Sequence, residues 1–192
     1  MTHRQLSEQD LLVLSRALHA HQVEHAVIGG AAMGLSGFPR QTRDIDLLLP
    51  VDAQNTQKLL KALDSAIKDK AALAQGYSTA VEGEITIDLL FRAAGLLFED
   101  VRDYLKQVNV SGTCVTTLNV DGLLLTKQTD RISDAADRYK LEKYRQSEHD
   151  LALMMDRIQR LNDLPDKSGM AHVLWSQVNE AIEAAGSVLN AD

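Results

Sequence analysis

A single cysteine, Cys114, is all the chain carries, so no intrachain disulfide can form, and no Cys/His spacing suits a zinc site. There is no block of five like charges, hence no tail that reads as a nucleic-acid arm. No apolar run approaches the ~20 residues of a membrane-spanning helix. The polar, mixed-charge start at residues 1–10 also lacks the apolar stretch of a secretory signal. Internal repeats and low-complexity segments are absent as well. These absences lead us to expect a cytoplasmic protein in a reducing compartment, without a membrane anchor.

What is present allows a real core. The chain has 192 residues, 45% of them hydrophobic, enough for one domain of ordinary size with extra helices. Its net charge of -7 comes from 27 acids against 20 bases, which argues against non-specific binding of duplex DNA. A local basic cleft is still open to it, because Arg40, Arg43, Arg92 and Lys127 can converge in space.

Ser7 followed by Asp10 forms a capping-box start, and Leu11, Leu12, Leu14 and Leu18 fall near helical spacing, so a helix is expected over residues 8–22. Residues 26–28 read as a short buried strand broken by Gly29-Gly30, with a small-residue helix over 31–35. After the loop at Gly37-Phe38-Pro39, residues 45–49 read as a second strand ended by Pro50. Asp52 caps a helix expected over 53–68, with Leu59, Leu60, Leu63 and Ile67 on one stripe. Strands at 77–81 and 84–91 flank a turn at Glu82-Gly83. A short helix is expected over 98–108, and a strand segment over 110–118 with a turn at Ser111-Gly112. From Asp121 the texture is helical: Leu123 to Leu125, a long amphipathic stretch over 135–161, and a last helix over 171–189 after the break at Pro165 and Gly169. Trp175 and Met170 fit packing of that last helix, and Met154-Met155 a seam between appendage and core.

The chemistry concentrates in three carboxylates. Asp44 and Asp46, two apart in a strand, project from the same face. Like charges so placed repel unless a cation sits between them, and magnesium binds through one or two carboxylates plus substrate phosphates. Asp88 is the lone charge in Ile85-Thr86-Ile87-Asp88-Leu89-Leu90-Phe91, and a buried charge needs a partner. If its strand lies beside that of Asp44 and Asp46, the three can hold two metals. Asp88 would then ligate the metal on the nucleophile side and take up the proton. Upstream, a strand ending in Gly29-Gly30 and entering a helix leaves backbone N–H groups where phosphate oxygens can approach.

These residues carry a family resemblance. The run from Ile28-Gly29-Gly30 through Arg40-Gln41-Thr42-Arg43-Asp44-Ile45-Asp46-Leu47, with Asp88 as third carboxylate, resembles the polymerase-beta-type nucleotidyltransferase superfamily. Within it the pattern looks most like small bacterial abortive-infection toxin-like nucleotidyltransferases, and more distantly like lincosamide and aminoglycoside adenylyltransferases. It covers roughly residues 24–92. A weaker similarity extends through Leu123 to Lys127 and His149-Asp150-Leu151. The resemblance implies an α/β (α+β) fold with a small mixed sheet flanked by helices. It implies a nucleotidyltransferase core over residues 1–130 and a helical C-terminal appendage, residues 131–192, packed on it. It further implies Mg²⁺, two ions, at Asp44, Asp46 and Asp88, an NTP such as ATP cradled at Gly29-Gly30, and Lys127 approaching the phosphates. Many members have serine after the first glycine, where this chain has Gly30.

Each sharp reading has a plainer one beside it. Arg40 and Arg43 either touch phosphate or substrate, or pair with Asp44 and Asp46, which follow them. Thr42 either hydrogen-bonds near the metal or, more simply, begins the strand. The segment 134–150, with Arg138, Lys140, Lys143, Arg145, Tyr139 and Tyr144, suits backbone and stacking contacts to a polynucleotide, but reads first as a solvated helix with i,i+4 pairs. His21, His25 and His149 are scattered and fit surface or core roles.

The expected activity is transfer of a nucleoside monophosphate from NTP to an acceptor hydroxyl with release of pyrophosphate. tRNA or a protein is the favoured acceptor, and the chain is a candidate toxin with a cognate antitoxin partner. The alternatives are a catalytically silent nucleotide-binding module and an antibiotic-type small-molecule adenylyltransferase.

Overall fold

The computed structural model describes residues 4–63, 67–82, 85–162 and 180. By its internal contacts the chain divides into two compact units, residues 1–138 and 139–192. Gly83 of the expected turn, the helix expected over 171–189, and Pro165, Gly169, Met170 and Trp175 lie outside the described residues.

The first unit is built on one six-stranded mixed sheet. Its strands are β1 (Ala26–Ile28), β2 (Asp44–Leu48), β3 (Thr79–Glu82), β4 (Thr86–Leu90), β5 (Leu105–Val110) and β6 (Thr113–Leu118), in spatial order β3-β4-β2-β1-β6-β5. β2 runs parallel to β4 and antiparallel to β1, while β1 runs parallel to β6. The alternating burial of β2 follows from its sequence: Ile45 and Leu47 are fully buried on one face, leaving Asp44 and Asp46 half-buried on the other.

Helix α1 (Glu8–Ala20) starts where its capping box lies, with Asp10 N–H donating to Ser7 Oγ and Ser7 N–H to Asp10 at 2.9 Å. It buries Leu11, Leu12, Leu14 and Leu18. Helix α2 (Gly29–Leu35) follows β1 directly, and its Ala31, Ala32 and Met33 are buried. In α3 (Ala53–Leu63), Asn55 N–H is capped by Asp52 Oδ1 at 2.6 Å. Further along come α4 (Lys70–Ala74), α5 (Phe98–Val101), α6 (Val120–Thr126) and α7 (Ile132–Asn162). His25 is buried, with its Nδ1 against the Val23 carbonyl at 2.8 Å, and burial pulls its pKa down to about 4. It is a core histidine.

Two expectations are corrected. The stripe drawn over residues 53–68 does not carry Ile67 as a helical residue: Ile67 forms a bridge to Val81, and Lys68 N–H donates to the Ala80 carbonyl at 2.9 Å. An extended segment beside β3 satisfies that backbone better than another helical turn would, and Asp69 opens a new helix at α4 by accepting from Ala72 N–H. The helix expected over 98–108 is only α5 and one 3-10 turn, Arg102–Tyr104, after which residues 105–110 form β5. There Ser111 and Gly112 both take positive φ, 47° and 78°, which closes a tight hairpin onto β6. Pairing along that whole hairpin overrides the helical spacing read in the sequence.

Along α7 the pairs Tyr144 Oη to Glu148 Oε1 at 2.6 Å and Gln146 Nε2 to Asp150 Oδ1 at 2.9 Å are the i,i+4 contacts of a solvated helix. No helix among the described residues is long and apolar enough to cross a membrane.

Candidate active site

Parallel pairing of β2 with β4 sets Asp46 directly opposite Asp88, and Asp44 opposite Thr86. Asp44, Asp46 and Asp88 therefore share one face of the sheet across two adjacent strands. On the other side β1 pairs Ile28 with Asp46, so the chain turns into α2 at Gly29 right beside that carboxylate. Gly29 has φ +65°, and a Cβ built there would lie 1.8 Å from Asp46 Oδ2. Both the backbone and the space demand glycine. Gly29→Ala is expected to cost about 1–2 kcal/mol of stability and to swing the Asp46 carboxylate away, measured as a lower urea midpoint together with lost metal binding.

These residues line a cavity of about 370 Å³, whose walls also include Gly30, Arg40, Thr42, Arg92, Lys127 and Arg131. Of the residues expected to hold metal or phosphate, Arg43 lies outside it, on an exposed position of the segment leading into β2. Among the described residues, no three His, Cys, Asp or Glu side chains are gathered into a ready-made ion cage. The aspartates instead share a wall.

Crowding and burial leave their mark on protonation. Burial first, then the neighbouring Asp44 and Asp88 carboxylates, push the Asp46 pKa up to about 6, against the opposing pull of Lys127 and Arg131. Burial and Asp44 raise that of Asp88. Such a set is held together most favourably by added positive charge, and its donors are all hard carboxylate oxygens, the preference of Mg²⁺.

Thr42 does more than begin a strand. Its hydroxyl donates to Asp44 Oδ1 at 2.6 Å, fixing that carboxylate, and β2 begins only at Asp44. Thr42 also packs on Gly30: a Cβ at position 30 would lie 2.9 Å from both Thr42 Cβ and Oγ1. The absence of serine there thus has a local reason, since Thr42 fills the space. Thr42→Val is expected to weaken metal binding about 10–100-fold while keeping the fold, checked by Mn²⁺ titration.

The basic residues divide into two sets. Lys127 is buried, and its Nζ is paired with Asp134 Oδ1 at 3.0 Å and Asp137 Oδ2 at 2.9 Å. Arg40 also pairs with Asp137, rather than with Asp44 or Asp46. Arg92 donates to the Gly95 carbonyl, and Arg131 faces Asp46 and Asp134 through its charge. Sequence reasoning missed Arg131, Asp134 and Asp137. The signal available was the i,i+3 spacing of Asp134 and Asp137 near the start of α7, which alone does not say which side chains turn inward.

No protein-family model and no curated protein matches the sequence. Among solved structures, the chain resembles a lincosamide antibiotic adenylyltransferase in its lincomycin-bound form, at 19% identity and a TM-score of 0.54, over 72% of this chain and 98% of that one. The protein has a nucleotidyltransferase fold. An antigenic nucleotidyltransferase-like protein from Paracoccidioides brasiliensis is also similar, at 20% identity and a TM-score of 0.48, over 98% of this chain and 96% of that one.

Proposed function

We infer that the protein is a metal-dependent nucleotidyltransferase that moves a nucleoside monophosphate from an NTP to an acceptor hydroxyl and releases pyrophosphate. The observation that carries this reading is the register placing Asp46 against Asp88, with Asp44 on the same face and Gly29 against Asp46. Asp44, Asp46 and Asp88 would hold two Mg²⁺ ions, which supply Lewis-acid activation of the hydroxyl and neutralise the leaving pyrophosphate. An ion that takes two carboxylates and completes its shell with phosphate oxygens and water needs no all-protein cage.

The chain's own residues supply the rest. Gly29 and Gly30 let phosphate oxygens come close to the backbone, with no side chain in the way. Arg131 and Arg92 line the cavity and, among the described residues, form no carboxylate ion pair, which suits them to the triphosphate charge. Lys127, tied to Asp134 and Asp137, acts on the site through its field on Asp46. Asp88 would also take up the acceptor's proton, and its pKa, raised by burial and Asp44, suits a proton acceptor.

The acceptor is tRNA or a protein on this reading, with toxin action in a toxin–antitoxin pair as its cellular role. A small-molecule acceptor is the second reading, supported by the fold shared with an adenylyltransferase that binds lincomycin. Incubating the protein with Mg²⁺, NTP labelled at the α-phosphate, and tRNA, cell protein or a lincosamide in separate reactions distinguishes these. Transfer of α-label but not γ-label to one acceptor supports nucleotidyl transfer and names its class. Calorimetric binding of Mg-ATP with no transfer to any of them favours the silent module instead.

A further inference from the structure

A second cavity, about 610 Å³ in volume, shares Gly30, Arg40 and Thr42 with the carboxylate cavity. Its remaining walls come from the N-terminal segment and the start of α1, the C-terminal half of α2, the loop before β2, and the end of β5. The N-terminal segment is pinned in place, because Leu6 N–H donates to the Thr42 carbonyl at 3.1 Å. Where the two cavities meet, Gly30 and Thr42 close against each other: only the missing Cβ of Gly30 lets them fit. An occupant of the second cavity therefore touches Thr42 without entering the carboxylate site.

The chemistry of the lining selects its ligand. Arg40 is paired with Asp137, Glu8 accepts from the Ser111 hydroxyl at 2.6 Å, and Ser7 is committed to the cap of α1. What remains for a ligand is the Gln5 and Gln41 carboxamides and an apolar surface from Leu6, Leu11, Leu35, Pro39, Val108 and Val110. The volume is that of a pocket for a drug-sized molecule, in the range of about 300–1,000 Å³. A charged ligand would meet an arginine already paired with a carboxylate and a glutamate already hydrogen-bonded to Ser111, whereas a neutral one meets the Gln5 and Gln41 amides and apolar walls.

We propose that this cavity is a second ligand site, for a neutral, mostly apolar small molecule with one or two hydrogen-bonding groups, set against the carboxylate site but separate from it. Because Thr42 holds Asp44, occupancy also changes metal-nucleotide binding; that coupling rests on the nucleotidyltransferase reading.

Gly34 gives a clean test. It lines the second cavity, and a Cβ there meets nothing within 4 Å, so a side chain can start from this position without striking a neighbour. The probe is N-phenyl-1-naphthylamine, neutral and apolar with one N–H, followed by fluorescence on the full chain. Saturable one-to-one binding is expected, weakened at least about tenfold in Gly34→Phe, less in Gly34→Leu, and unchanged in Asp88→Asn, which lines only the carboxylate cavity. Circular dichroism and the thermal midpoint establish that each variant is folded. Equal binding by a folded Gly34→Phe, non-saturable binding by the wild type, or loss of binding in Asp88→Asn would overturn the site. Saturating probe should shift the Kd for Mg-ATP at least about twofold, and an unchanged Kd overturns the coupling. If the nucleotide reading itself is wrong, Mg-ATP does not bind at all while the probe still does.

Discussion

Asp46→Asn is expected to abolish nucleotidyl transfer and, at the same time, to make the metal-free protein more stable at neutral pH. The loss of activity should be on the order of a thousandfold or more, because Asp46 is the central member of the carboxylate set, opposite Asp88 and beside Gly29. The gain in stability has the opposite origin. Burial and its two acidic neighbours raise the folded-state pKa of Asp46 from 3.8 to about 6. Below pH 4 the group is protonated whether the chain is folded or not, and it costs nothing. As pH rises, the unfolded chain releases this proton first, so the native state loses stability between about pH 4 and 6 and does not regain it above. The full penalty corresponds to about 3 kcal/mol, and asparagine, still polar and still buried, should recover about 1–3 kcal/mol of it. Urea unfolding in chelator at pH 7 and at pH 4 checks this: the variant should be the more stable at pH 7, with the difference shrinking toward pH 4. A site arranged for function at the expense of the apo fold behaves this way.

Lys127→Met should be the most damaging single change to stability outside the apolar core. Its ammonium lies between Asp134 and Asp137, with side chains that are 6%, 10% and 4% exposed. Removing one partner from a buried ion network leaves carboxylates without compensation and typically costs about 3–5 kcal/mol. Arg40 still reaches Asp137, and the Thr129 hydroxyl still donates to Asp134, so the lower end of that range is expected. Asp134 adds a pH signature. Burial works to raise its pKa, but the hydrogen bonds from Thr129 and Lys127 prevail and hold it below the ordinary value. Its contribution is therefore present above the usual carboxylate range and lost only as pH falls through the lowered pKa. In Lys127→Met that loss should begin at higher pH. Unfolding midpoints from pH 3 to 7 measure both effects.

The parts of this site that were legible in the sequence are those written in local pattern. Strand alternation puts Asp44 and Asp46 on one face, and the same alternation around Asp88 marks its strand as half-buried. Gly29 was readable as a turn, although its second constraint, the Asp46 carboxylate occupying the place of a Cβ, depends on a strand pairing no local window contains. Thr42 illustrates the limit: its bond to Asp44 spans two residues, yet its close packing on Gly30 joins positions twelve apart. The ion network of Arg40, Lys127, Asp134 and Asp137 joins positions 97 apart in the chain, and charge spacing along α7 could not distinguish a solvated face from a buried one. The same competition between local and distant pairing turned the helix expected over 98–108 into α5 and a strand.

The most direct test of the metal-nucleotide site is a Mn²⁺ titration followed by electron paramagnetic resonance, on the full chain with a non-hydrolysable NTP analogue. The arrangement of Asp44, Asp46 and Asp88 predicts two bound ions per chain in the wild type, with binding lost in Asp46→Asn and at least one ion lost in Asp88→Asn. Equal Mn²⁺ binding by the wild type and a folded Asp46→Asn would contradict it.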